Sequence, residues 1–83
     1  MKQFQVHLNS IDSVKKFVAL AEGHNCEIDV TSGRYIVDGK SMLGLFSLDL
    51  SQRVGVDYYG EDADGDRFIK QLSAVLGADH VEG

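Results

Sequence analysis

The sequence predicts an α+β domain with the order β-α-β-β-α-β-α: a four-stranded antiparallel sheet carrying three helices on one face. Three observations predict it. Stretches in which apolar and polar residues alternate, the period of a half-buried strand, are separated by stretches with helical period. The alternating stretches are apolar on one side, as a sheet with one covered and one wet face requires. Finally, 83 residues suffice for one sheet under a few helices, so residues 1–83 are read as a single domain.

Each element has its own signal. Phe4, Val6 and Leu8 alternate with Gln3, Gln5 and His7 in the first strand. From Ile11 the period changes: Ile11, Val14, Val18 and Ala21 share a helical face with Phe17 beside them, and Lys15, Lys16 and Glu22 lie away from it. Asp12 is the expected N-cap of this helix, with Ser10 as the alternative, and Gly23 its stop. Cys26, Ile28 and Val30 mark the second strand, and Tyr35 and Val37 the third. Between them Gly33 can adopt the positive φ of a hairpin loop.

Ser41 opens a short apolar segment, MLGLFSLDL. Gly44 costs it about 1 kcal/mol relative to Ala, which limits the helix to one or two turns. Leu45 and Leu48 are the expected core pair; Met42 and Phe46 are left to an exposed apolar patch rimmed by charge. Val54, Val56 and Tyr58 alternate in the fourth strand. Asp64 or Asp66 caps the last helix, Phe68, Ile69, Leu72, Val75 and Leu76 form its stripe, and Gly77 ends it, leaving His80 in a frayed tail.

Composition narrows the function. The net charge of −5, with Lys and Arg scattered, speaks against a nucleic-acid face. Asp57, Glu61, Asp62, Asp64 and Asp66 read as a solvated loop and helix start. His7 falls on the polar side of its strand, His24 reads as a cation at a helix end, and the three histidines have no metal-ligand spacing, so neither metal nor cofactor is expected. Cys26 stands alone, which fits a reducing compartment and a small buried hydrophobe. The opening MKQFQVHLNS alternates like a strand and lacks a signal-peptide core, and no run is long enough to span a bilayer, so a cytoplasmic protein without membrane contact is expected. Gly39-Lys40-Ser41 is not a phosphate-binding loop, because the position that must hold the first glycine is Arg34.

The block DGKSMLGLFSLDL, the strand after it, and EDADGDRFIKQL resemble HPr, the histidine-containing phosphocarrier of the bacterial sugar phosphotransferase system. Lys40-Ser41-Met42-Leu43-Gly44 matches the Lys-Ser-aliphatic-aliphatic-Gly segment that opens the family's second helix. The resemblance covers nearly the whole chain and implies an HPr-like open-faced β-sandwich. It departs where the family carries Gly-Ile-His-Ala-Arg-Pro-Ala: here Ser10-Ile11-Asp12-Ser13-Val14-Lys15-Lys16 puts Asp12 at the histidine, Val14 at the arginine and Lys15 at the proline.

A carrier histidine uses a neutral imidazole nitrogen as nucleophile, and its phosphoryl group sits where helix N–H groups favour an anion. Asp12 removes that nucleophile and adds a negative charge, so the expectation is a regulatory or adaptor protein, neither a histidyl phosphocarrier nor an enzyme. The resemblance also implies Ser41 as a regulatory phosphosite. Lys40, Met42, Leu43 and Phe46 are the expected partner-binding residues, the partner being a serine kinase, a transcription regulator or a phosphotransferase-system component. The alternatives are a divergent binding module unconnected to sugar transport and a phosphocarrier using an unconventional residue.

Overall fold

The computed structural model describes residues 1–83. Strands β1 (Lys2–Val6), β2 (Ile28–Ser32), β3 (Tyr35–Asp38), β4 (Val54–Tyr58) and β5 (Val81–Glu82) form one antiparallel sheet in the order β3-β2-β4-β1-β5. Helices α1 (Ile11–Glu22), α2 (Met42–Phe46) and α3 (Asp62–Leu76) lie between them in the chain. The register places Phe4 opposite Val56 and Val56 opposite Val30, so one buried row crosses β1, β4 and β2.

The alternation of the first, second and fourth strands is realised, with Leu8 and Cys26 falling beyond the strand ends, while Tyr35 of the third is exposed. Phe4, Val6, Ile28, Val30, Val54, Val56 and Tyr58 are buried in a single core. Over them pack Val14, Phe17, Val18 and Ala21 of α1, Leu45 of α2, and Phe68 and Leu72 of α3. Phe68 is the aromatic centre: its ring lies 6.0 Å from Phe4, edge-on, 5.5 Å from Phe17 and 5.8 Å from Tyr58, spacings at which aromatic pairs attract beyond their burial. Four of the five acidic residues read as a loop and helix start, Glu61, Asp62, Asp64 and Asp66, stand at the start of α3, whereas Asp57 lies in β4. Asp62 and Asp64 occupy its first turn, where the helix dipole favours negative charge, and Lys2 pairs with Asp66 at 2.9 Å.

Several expectations are corrected. The sheet has five strands, not four, because the tail is ordered: Gly77 turns the chain at φ 101, a 3₁₀ turn spans Ala78–His80, and Val81 pairs with Val6. The N-cap of α1 is Ser10, not Asp12. Glu61, with no side-chain cap bond, takes the N-cap position of α3 that was assigned to Asp64 or Asp66. Ile11, Tyr35 and Val75 are exposed although their phase places them with core residues; each sits at an element end or sheet edge where no layer lies beyond.

His24 is not a solvated helix-end cation. It is buried, with Nδ1 2.6 Å from the Tyr58 hydroxyl and Nε2 2.9 Å from Gln71 Oε1. Gln71 Oε1 accepts from Nε2–H, and Nδ1 and the Tyr58 hydroxyl are each other's partner in the second bond. Burial pushes the Tyr58 phenol up to about 12, with the Cys26 thiol beside it adding to the shift. Cys26 itself is half-buried, and so is His7, whose ring stacks near His80.

Candidate functional site

Ser10 enters α1 with extended backbone, and its Oγ accepts from Ser13 N–H at 3.0 Å while Ser10 N–H donates to Ser13 Oγ at 3.1 Å. This reciprocal box satisfies two main-chain donors at once. Serine wins over Asp12 because Asp12 already lies within the helix. Its carboxylate is exposed on the first turn, 3.0 Å from Lys16 Nζ one turn on. Such an exposed pair is worth at most about 1 kcal/mol.

The entrance to α2 is built in the same way. Ser41 is the N-cap, as read, and its Oγ accepts from Gly44 N–H at 3.1 Å. Gly44 has a packing reason beyond the motif: a Cβ there would lie 3.2 Å from Val37 Cβ and 3.3 Å from Ser41 Oγ, so the bare backbone lets α2 settle on β3. Lys40 is held from both ends. Its N–H donates to Asp38 Oδ1 at 2.9 Å, and its ammonium donates to His24 O at 2.6 Å, tying α2 to the exit of α1.

Helix α2 divides as its period requires. Leu45 and Leu48 are buried, while Met42, Leu43 and Phe46 are exposed, Leu43 at 85%. Ile11 of α1 is exposed as well, and a shallow cleft of about 320 Å³ lined by Ser10, Ile11, Phe46 and Leu50 runs between the entrance of α1 and the exit of α2. The sequence did not assign Ile11 to this surface, because in phase it belongs to the α1 stripe. Its place in the first turn, ahead of Val14, is the signal that frees it.

A family model described as the PTS HPr component phosphorylation site matches residues 12–78, from the first turn of α1 through α2 and α3. The chain belongs to the HPr family. No individual curated protein matches it. HPr proteins are phosphocarriers of the phosphotransferase system that act through protein partners and are not enzymes. In this HPr domain the first turn of α1 holds Ile11, Asp12 and Ser13 and no imidazole.

One histidine shares a cleft with that entrance, His80. It lines a small cleft together with Ser10, Asp12 and Lys16, and its Nδ1 lies 3.2 Å from His7 O. No helix is long and apolar enough to cross a membrane.

Proposed function

We propose that this HPr-family protein is a regulatory or adaptor member that does not relay phosphate through a histidine. The observation that carries the reading is the composition of the α1 entrance: Ser10 caps it, Asp12 stands at the motif position of the carrier histidine, and the side chains at the arginine and proline positions are Val14 and Lys15. A histidyl carrier needs a neutral ring nitrogen there. A capping hydroxyl already bonded to Ser13 and a carboxylate paired with Lys16 offer none.

Partners dock on the apolar surface made by Met42, Leu43 and Phe46, extended by Ile11 across the cleft. Ser41 is the regulatory phosphosite. It stands at the rim of that patch, at a helix start where two added negative charges are welcome. Lys40 positions this rim through its bond to His24 O and need not itself touch the partner. The kinds of partner that fit are a serine kinase, a transcription regulator or another phosphotransferase-system component.

The reading is tested by offering the protein a protein serine kinase of the phosphotransferase system with ATP, alongside Ser41→Ala. Incorporation into the wild type alone supports it. No incorporation into either protein favours a binding module unconnected to sugar transport. A second reading, a carrier acting through an unconventional residue, has one specific observation in its favour: His80 lines the same cleft as Ser10 and Asp12. Phosphoenolpyruvate and the general phosphotransferase enzyme, applied to wild type and His80→Ala, separate the two.

A further inference from the structure

The sheet has one edge, along β3, that no other strand covers. Strand β3 pairs only with β2, leaving its other side open. Natural edges are protected by proline, lysine, bulges or very short strands. The far edge is the two-residue β5. Strand β3 has four residues, Tyr35–Asp38, without Lys or Pro, and Tyr35 and Ile36 are 73% and 68% exposed.

The β2–β3 turn decides which main-chain groups are free. Ser32 pairs with Tyr35 across the two-residue loop Gly33-Arg34, with Gly33 at φ 60 and no positive φ at Arg34. That is a type II′ hairpin, whose closing pair exchanges both its hydrogen bonds inward. Tyr35 and Val37 therefore bond to β2, and the N–H and C=O of Ile36 point outward. The C=O of Asp38 is taken by Ser41 N–H at 3.0 Å, so the free donor and acceptor centre on Ile36.

Charge completes the pattern. Asp38 faces Asp29 in the β2–β3 register, and Asp29 faces Asp57 in the β2–β4 register, a row of like charges that costs stability. Asp38 has no cationic partner within 4 Å, and neither does Arg34 an acidic one. A second β3 laid antiparallel about Ile36 puts Ile36 opposite Ile36, Tyr35 opposite Val37, and Arg34 opposite Asp38, twice. The strand is self-complementary under a twofold axis, the condition for an isologous contact.

We propose that β3 is the docking edge for a second copy of this chain, forming a ten-stranded sheet across a twofold axis at Ile36, with Arg34 of each copy paired to Asp38 of the other. The contact is a few residues wide, so the dimer is weak and concentration-dependent. It leaves the cleft between α1 and α2 open.

Sedimentation equilibrium over a wide concentration range tests this on four proteins and one mixture. The wild type should dimerise. Ile36→Pro, which removes an outward N–H at an edge position that tolerates proline, should be monomeric with an unchanged circular dichroism spectrum. Arg34→Asp and Asp38→Arg should each weaken self-association by about tenfold or more, because both cross-strand pairs become repulsive. Mixed one to one, these two variants should associate with each other, since every like-charge contact is then restored to an opposite pair. A wild type that stays monomeric at all concentrations, or a dimer that survives Ile36→Pro or both charge variants, overturns the proposal.

Discussion

The hydroxyl of Tyr58 and Nδ1 of His24 lie 2.6 Å apart inside the core, joining β4 to the exit of α1. The same histidine carries the Lys40 ammonium on its carbonyl, so the contact also braces the start of α2. Replacing Tyr58 by Phe removes the hydroxyl and leaves a buried ring nitrogen without its partner. Such an orphan costs roughly 1–3 kcal/mol. Urea unfolding should show a loss of this size for Tyr58→Phe.

Tyr58 also sets an alkaline limit. Its folded pKa of about 12 stands above the ordinary value of 10.0. Between those values the unfolded chain has released the proton and the folded chain still holds it, so stability falls as pH rises. The contribution is fully present below pH 10 and gone by about pH 12, a loss of roughly 2–3 kcal/mol. Stability measured by urea from pH 9 to 12 should decline in the wild type, and the decline should be shallower in Tyr58→Phe.

Much of this architecture was legible in the sequence, for reasons that differ by element. β1, β2 and β4 are read correctly because a period of two with one buried face leaves little freedom of register. The burial of Leu45 in α2, and of Leu48 just past its end, against exposed Met42 and Phe46 follows from helical spacing. What escaped is set by partners distant in the chain. β5 is two residues long and exists because Gly77 turns the tail back onto β1. His24 is buried because Tyr58 and Gln71, more than thirty positions away, supply both its hydrogen bonds. The cap at Ser10 was visible as one of two options, and only the phase of the first turn decides between it and Asp12.

Gly65 presents a contest between propensity and packing. Replacing a helical glycine by alanine ordinarily gains about 1 kcal/mol. Here the new Cβ would lie 2.8 Å from Lys2 Cβ and 3.3 Å from Tyr58 Cδ1. Lys2 Cβ is anchored to the β1 backbone and cannot swing away, so overpacking of roughly 1–3 kcal/mol dominates. Gly65→Ala should lower the thermal midpoint; a rise would mean that α3 moves off β1 without cost.

The two serine caps should be equivalent in stability and different in function. Ser10→Ala and Ser41→Ala each lose a side-chain acceptor and should each cost about 1 kcal/mol by urea unfolding. Only Ser41→Ala should abolish incorporation of phosphate by a serine kinase.

The exposed residues of α2 should be dispensable for folding. Met42→Asp with Phe46→Asp places charge on solvated positions and should shift the thermal midpoint little. It should abolish capture of the partner that wild type retains. Capture at equal yield by both proteins would move the docking surface elsewhere.

The most direct test is chemical. The protein is incubated with radiolabelled phosphoenolpyruvate and the general phosphotransferase enzyme, and acid-labile phosphate on the chain is measured against a histidine-bearing HPr. With Ser10 and Asp12 at the α1 entrance, no label above background is expected. A stoichiometric phosphohistidine, traced by peptide mapping to His80 or any other imidazole, would contradict the account.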